Sequence, residues 1–192
     1  MRVIAGTKRG LQLRCGRGPV FRPTAQIVKG SIFDTLGDAV AGAVFVDLFA
    51  GSGAVGIEAL SRGAKRAVFI EQDHRILKAL RTNLQRCGFT HQEAEVKMGD
   101  AMRFLDKLIN SGETVDVIFA DPPYAGNLAQ RIVRRIEEKG RMPFRLLVIE
   151  HGTAIFTKED SVMETVRTKK FGQTLVSYFR FRDRTTDRKG VE

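Results

Sequence analysis

Asp121-Pro122-Pro123-Tyr124 closes an apolar run and supplies what is needed to hold a planar amine for alkylation. Val115-Asp116-Val117-Ile118-Phe119-Ala120 reads as a buried strand, and two consecutive prolines force the chain out of the sheet as a rigid, extended turn. Proline carries no backbone N–H, so the segment presents carbonyl oxygens and the Asp121 carboxylate, all acceptors. The exocyclic NH2 of a nucleobase needs such acceptors, and the Tyr124 ring is a flat surface on which a base can stack. Taken alone, these four residues also suit an ordinary strand-to-loop turn with a surface tyrosine.

A second constellation lies upstream. Asp47-Leu48-Phe49-Ala50-Gly51-Ser52-Gly53-Ala54-Val55-Gly56 sits where a first strand turns into a first helix. Gly51 and Gly53 permit positive φ and close backbone approach, so a ligand can lie against this turn. Gly51-Ser52-Gly53-Ala54-Val55-Gly56 matches the GxGxxG dinucleotide fingerprint, a weak signal alone. Asp47 at the strand end is placed for an ammonium rather than a pyrophosphate, which favours S-adenosylmethionine over NAD. Glu71 ends the second strand, where a carboxylate can accept from both ribose hydroxyls, with Gln72 beside it. Asp100 follows the third strand and can accept from an adenine amine, with Ala101 leaving room for the ring. A helix N-cap is the plainer role for Asp100.

The elements that must position these residues alternate. From Ala43, strand-length apolar runs (Ala43–Leu48, Arg66–Glu71, Glu95–Met98, Val115–Ala120, Leu146–Glu150) are separated by helical patterns near Gly53–Arg62, Asp73–Arg86, Ala101–Asn110 and Leu128–Lys139. Four βα units and a fifth strand predict a parallel sheet covered on both faces. Met163–Lys169 and Thr174–Phe181, joined through Phe171-Gly172-Gln173, predict an antiparallel hairpin at the sheet's edge. In the second of these strands, alternation puts Phe179 and Phe181 on one face and Tyr178, Arg180 and Arg182 on the other. Before Ala43 stands a separate piece: a short basic hairpin over Met1–Leu13, a Gly/Pro-rich loop over Arg14–Pro23 and a helix over Ala25–Leu36.

The net charge of +10 sits at the ends. Residues 1–42 hold seven Lys/Arg against two acids, and residues 163–192 hold eight against four. A near-neutral middle with basic ends suits a catalytic body flanked by segments that grip a polyanion. Cys15 and Cys87, with no CxxC spacing, suit reduced thiols rather than a disulfide framework, and no metal site is expected. No run reaches the roughly 18 apolar residues that cross a bilayer, and the N-terminus lacks a signal-peptide core, so a cytoplasmic protein is expected.

With glycine loop, acidic second-strand end, Gly99-Asp100-Ala101 and Asp121–Tyr124 in that order, the chain resembles the amino-methylating class I S-adenosylmethionine-dependent methyltransferases. It is most similar to the bacterial 16S ribosomal RNA (guanine-N2) methyltransferases that modify guanine 966 in the usual rRNA numbering. The resemblance runs through Arg2-Val3-Ile4-Ala5-Gly6, Arg9-Gly10, Arg22-Pro23-Thr24, Glu58–Ala64, Phe69–Asp73 and Phe171–Thr174. Ile27, Lys29 and Gly30 depart from it, standing where the family usually places arginines and an acid. The acidic end of the fifth strand, Val148-Ile149-Glu150-His151, keeps the family's pattern.

This resemblance implies a Rossmann-like α/β fold: a mostly parallel seven-stranded sheet with an antiparallel C-terminal hairpin. Residues 1–42 would form an RNA-binding extension and residues 43–192 the methyltransferase domain. Asp47, Phe49, Ala50, Gly51, Ser52, Gly53, Glu71, Gln72, Asp100 and Ala101 would hold S-adenosylmethionine. Asp121, Pro122 and Tyr124 would act on the base, and Arg2, Lys8, Arg9, Arg14 and Arg22 would grip 16S rRNA phosphates, joined by Arg17, Arg180, Arg182 and Arg184. The expected partner is a 30S subunit or an assembly intermediate, met by a monomer. DNA adenine-N6 or cytosine-N4 methylation is the competing enzyme reading, and the chain has no obvious room for the target-recognition region it generally needs. A basic RNA-binding protein that only senses the cofactor is the competing non-enzymatic one.

Overall fold

The structure, a computed structural model, describes residues 1–14, 23–140, 144–158 and 160–182. Seven strands form one sheet: β1 (Val44–Asp47), β2 (Arg66–Glu71), β3 (Ala94–Met98), β4 (Val115–Ala120), β5 (Phe144–His151), β6 (Met163–Phe171) and β7 (Thr174–Phe181). Their order is β3-β2-β1-β4-β5-β7-β6, with β1 to β5 parallel and β7 antiparallel to both neighbours. This is the expected α/β sheet. The order reverses between β1 and β4, so the crevice that binds ligands in open α/β sheets opens at the ends of these two strands. Asp47 ends β1 and Asp121 follows β4.

The central strands are apolar on both faces because helices cover both. Phe45, Phe69, Phe119 and Val148 pack with α1 (Pro23–Leu36), α2 (Ala54–Ser61) and α3 (His74–Cys87). Val46, Ile70, Ile118 and Leu147 pack on the other side with α4 (Ala101–Ser111) and α5 (Leu128–Lys139). Asp73 caps α3 by accepting from the Arg75 N–H, and Gly88 ends that helix at φ 68°. No helix of the described residues is long and apolar enough to cross a membrane.

The first residues form a hairpin-like excursion. The Val3 N–H donates to Leu11 O (3.0 Å), the Gly10 N–H to Val3 O (2.9 Å) and the Leu13 N–H to Met1 O (2.8 Å). Val3, Leu13, Val28, Ile32, Phe33 and Leu36 share one apolar cluster with the sheet and α2, so this piece packs as part of the body. Its underside is polar. Glu58, fully buried in α2, accepts from the Ile4 N–H (2.8 Å) and the Ala5 N–H (3.0 Å). The same carboxylate meets Lys29 Nζ and Arg62 Nε, each at 2.9 Å. Lys29, one of the departures from the family pattern, is thus a buried counter-ion.

The C-terminal hairpin stands at the sheet's edge, as expected. β7 lies between β5 and β6, so β6 is the edge strand. Tyr178 and Phe179 are both buried although they point to opposite faces, because an interior strand is covered on both sides. Arg180 pairs across to Glu164 of β6 at 2.5 Å, and Arg184 lies outside the described residues.

Candidate active site

A cleft of about 1020 Å³ opens at the carboxyl ends of β1 to β5. Phe49, Glu71, Gln72, Asp100, Ala101, Asp121, Pro122 and Tyr124, singled out in the sequence, all line it. Glu150, Ile76, Met102, Leu128 and Ala25, the last from α1, line it too.

The rest of the glycine turn stands behind this wall. Asp47 is 1% exposed, and its Oδ2 accepts from the Gly56 N–H at 3.2 Å. Rather than opening onto the cleft, Asp47 fastens the start of α2 to the end of β1. Gly51 donates its N–H to Glu71 Oε2 (2.9 Å), and Gly53 donates its own to Ala50 O (2.7 Å). Three N–H groups of the turn are therefore committed inside the protein, and a pyrophosphate would find few donors there. Two glycines are required by space as well. A Cβ on Gly53, at φ 82°, would lie 2.3 Å from Leu80, and one on Gly56 would lie 2.3 Å from the Phe69 ring.

Glu71 accepts from Gly51 with one oxygen and from the Asp73 N–H (2.8 Å) with the other, which fixes its carboxylate at the cleft. Asp100 caps α4 through the Arg103 N–H (2.9 Å), the plainer of its two expected roles, yet it also faces the cleft. Both remain open to further donors, since a carboxylate carries about four acceptor sites.

Electrostatics set the character of the site. Asp121 opens onto the cleft, but the surrounding protein desolvates its carboxyl and pushes it up to about 6. Burial, reinforced by the Asp121 charge, raises Glu150 to about 8. Burial also raises Asp47 to about 7, opposed by the Gly56 and Phe49 N–H groups. Among the described residues no cation pairs with any of these three, and Asp47 Oδ1 accepts no hydrogen bond. Costly negative charge with no internal partner suits a cationic ligand, so the residues fit S-adenosylmethionine, whose sulfonium and ammonium are both positive. The described residues hold no cluster of three or more His, Cys, Asp or Glu able to bind a metal ion.

Pro122 is buried, and Tyr124 is 56% exposed. The Tyr124 hydroxyl lies 3.1 Å from Thr174 Oγ1, and its ring passes over Gly152, where a Cβ would come within 3.5 Å of it. The β7 start and the β5 end thus hold the ring as one wall of the cleft.

Two residues of the site's architecture have only weak sequence signals. Glu150 is visible as the acidic end of β5, but its pairing with Asp121 depends on strand order. Asn83 is fully buried on the apolar face of α3. Its Nδ2 donates to Arg14 O (2.8 Å) and Ser52 O (2.9 Å), while its Oδ1 accepts from the Arg14 N–H (2.8 Å). One amide therefore ties the basic N-terminal segment to the glycine turn. A polar residue among Leu77, Leu80, Leu84 and Cys87 is the signal that could reveal it.

The basic residues expected to grip RNA take separate positions. Arg2, Arg9 and Arg14 are exposed, and Lys8 is half-buried with Nζ 5.4 Å from the centre of the Phe89 ring. Arg17 and Arg22 lie outside the described residues.

Known proteins are similar to this chain in sequence and in fold. The Bacillus subtilis protein YlbH is 35% identical over 185 residues, covering 95% of this chain and all of that one. Ribosomal RNA small subunit methyltransferase D of Haemophilus influenzae is 36% identical over 151 residues, 78% of each chain. The solved structure of the Escherichia coli protein yhhF superposes with a TM-score of 0.80 at 30% identity, covering 94% of this chain and 97% of that one. The family described as "Conserved hypothetical protein 95" matches residues 1–180. The chain belongs to that family, and its relatives include proteins named ribosomal RNA small subunit methyltransferase D.

Proposed function

We infer that this protein methylates ribosomal RNA of the small subunit, transferring the methyl of S-adenosylmethionine to the exocyclic N2 of a guanine, guanine 966 in the usual rRNA numbering. The observation that carries this reading is the position of Asp121-Pro122-Pro123-Tyr124 on the wall of a cleft where the Asp121 and Glu150 carboxyls have no cation partner among the described residues. The relatives' names supply the RNA.

The amine nitrogen of guanine is a poor nucleophile because its lone pair is delocalised into the ring. The Asp121 carboxylate and the Pro122 carbonyl would accept its two hydrogens and turn the lone pair toward the sulfonium methyl. Glu71 and Asp100 would hold the ribose and adenine of the cofactor, whose contribution is a methyl group on a good leaving group. The methyl would pass from sulfur to nitrogen, the S–CH3 bond breaking as the N–CH3 bond forms, with S-adenosylhomocysteine as the leaving group. The amine then loses a proton to solvent, and no strong base is needed. Tyr124 would stack on the base, which must leave its helix or stand in a loop. Arg2, Lys8, Arg9, Arg14 and Arg22 would contact phosphates, in the cytoplasm where ribosomes assemble.

The test offers tritium-labelled cofactor to unmethylated small subunits and to duplex DNA, then maps the methyl on 16S rRNA from cells lacking and carrying the protein. Label on a guanine N2 of 16S rRNA is expected, and it should vanish in Asp121→Ala while cofactor binding stays nearly intact. Label on DNA alone, or full activity of Asp121→Ala, overturns the reading.

A further inference from the structure

We propose that Glu150 is the residue that selects guanine over other amine-bearing bases, by accepting the ring N1–H beside the amine that Asp121 grips. The inference rests on the proposed function, and it names a second contact to the same base.

The geometry comes from the sheet. Ala120 of β4 and Ile149 of β5 are paired in parallel register, so Asp121 and Glu150 leave adjacent strands at the same level. Neighbouring strands run about 4.8 Å apart. Both side chains line the cleft, and neither pairs with a cation or accepts a hydrogen bond among the described residues. Gly152, two residues beyond Glu150, sits under the Tyr124 ring, and Thr174 holds the Tyr124 hydroxyl from β7. A base stacked on Tyr124 therefore has Asp121 and Glu150 along the edge it turns to the cofactor.

The hydrogen-bond patterns of the bases decide what such a pair can tolerate. Guanine presents N1–H and N2–H2 side by side, a continuous row of donors that two adjacent carboxylates can accept. Adenine and cytosine present an amine next to a ring nitrogen lone pair, which a carboxylate repels. One carboxylate explains the grip on an amine, and the second explains why the neighbouring ring position must carry hydrogen. Burial raises both groups when the cleft is empty, and the Asp121 charge raises Glu150 further; this cost of ionisation is relieved once donors and the cofactor's positive charge lie beside them.

2-Aminopurine separates this contact from the amine itself. It keeps the exocyclic N2 amine of guanine but carries a lone pair at N1. Small subunits are reconstituted from ligated 16S rRNA bearing guanine or 2-aminopurine at the methylated position, and kcat/KM is measured for each. Wild-type protein should favour guanine by about 100-fold, the scale of a lost charge-assisted hydrogen bond plus repulsion. Glu150→Gln, whose amide can accept from N1–H or donate to a bare N1, should bring the two within about threefold. Glu150→Asp should keep the guanine preference whatever its absolute rate. A Glu150→Gln protein that keeps the wild-type ratio, or slows equally on both substrates, overturns the assignment while leaving the proposed function standing. If wild-type protein methylates neither substrate, the proposed function falls and this inference with it.

Discussion

Lys29 Nζ lies 2.9 Å from Glu58 Oε2, with the two side chains 2% and 0% exposed. Burial pushes the Glu58 carboxyl up, but Lys29, the Ile4 N–H and Arg62 together outweigh it and hold the group below the usual carboxylate range. Its partner also donates to Arg2 O at 2.9 Å. The ion pair thus pins both ends of the N-terminal piece, the hairpin and α1, to α2.

Removing one partner leaves the other charged and buried. Glu58→Ala should cost about 3–5 kcal/mol, because Lys29 loses its counter-ion and the Ile4 and Ala5 N–H groups lose their acceptor. Lys29→Met combined with Glu58→Gln should cost less than the sum of the single changes. Denaturant midpoints measure this, and strict additivity would refute the coupling. The pH dependence has a fixed sign. A lowered folded pKa gives stability that is present above the unfolded value of about 4.3 and lost as pH falls through the folded one. Glu58→Gln should therefore flatten the acid limb.

Gly6 and Gly10 both have positive φ, 78° and 87°, but only one has a neighbour. A Cβ on Gly6 would sit 1.7 Å from Ser61 O, which also accepts from the Thr7 N–H at 2.8 Å, whereas a Cβ on Gly10 meets nothing within 4 Å. Gly10→Ala should cost about 1–2 kcal/mol of backbone strain. Gly6→Ala should cost more and lower rRNA methylation by lifting the hairpin from α2. Equal melting temperatures for the two variants would show that the hairpin does not need this close approach.

The five parallel strands are legible in the sequence because burial on both faces turns each into a short apolar run, as in Val115–Ala120. The cleft residues are legible for a related reason: in an open parallel sheet they fall where strands end, and Glu71, Asp100 and Asp121 all do. The internal position of β7 is not legible, since a hairpin's pattern is the same whichever of its strands pairs with β5. Nor is the docking of the first residues. Glu58 meets the Ile4 N–H across 54 positions of sequence, and backbone donors carry no side-chain signature. Asp47 is legible as important but not in its role, because period and spacing say nothing about which side of a turn a carboxylate faces.

Asn83 is the next point of attack, because its single amide satisfies Arg14 and Ser52 together. Asn83→Leu would leave the Arg14 N–H and both carbonyls without their partner, a loss of about 1–3 kcal/mol for each buried group left unsatisfied. S-adenosylmethionine should bind about tenfold more weakly, as the glycine turn loosens. RNA affinity should fall with it, as Arg14 is released. Thr82→Ala, on the exposed side of the same helix, should change neither. Calorimetry with the cofactor and filter binding with 16S rRNA measure the two effects, and intact cofactor affinity in Asn83→Leu would overturn the link to the turn.

The acidic cleft makes cofactor affinity depend on pH in a direction that can be worked out. Asp121 at about 6, Asp47 at about 7 and Glu150 at about 8 all lie above ordinary carboxyl values, with desolvation the first cause of each. Groups raised in this way give stability that is full below their unfolded values, near 3.9 for Asp and 4.3 for Glu. That stability is lost as pH rises through the folded ones. The ligand-free protein should therefore lose stability from about pH 4 up to about pH 8, where the last of the three ionises in the folded state. A sulfonium favours the ionised carboxylates and lowers their pKa values, so binding releases protons and tightens over the same window. S-adenosylhomocysteine carries the ammonium but no sulfonium charge. The preference for S-adenosylmethionine over it should grow several-fold from pH 6 to pH 8, as one charge more is read by the same carboxylates. Glu150→Gln should blunt the growth, and titration calorimetry in two buffers should find fewer protons released. Parallel pH curves for the two ligands would mean that the sulfonium is held away from these carboxylates.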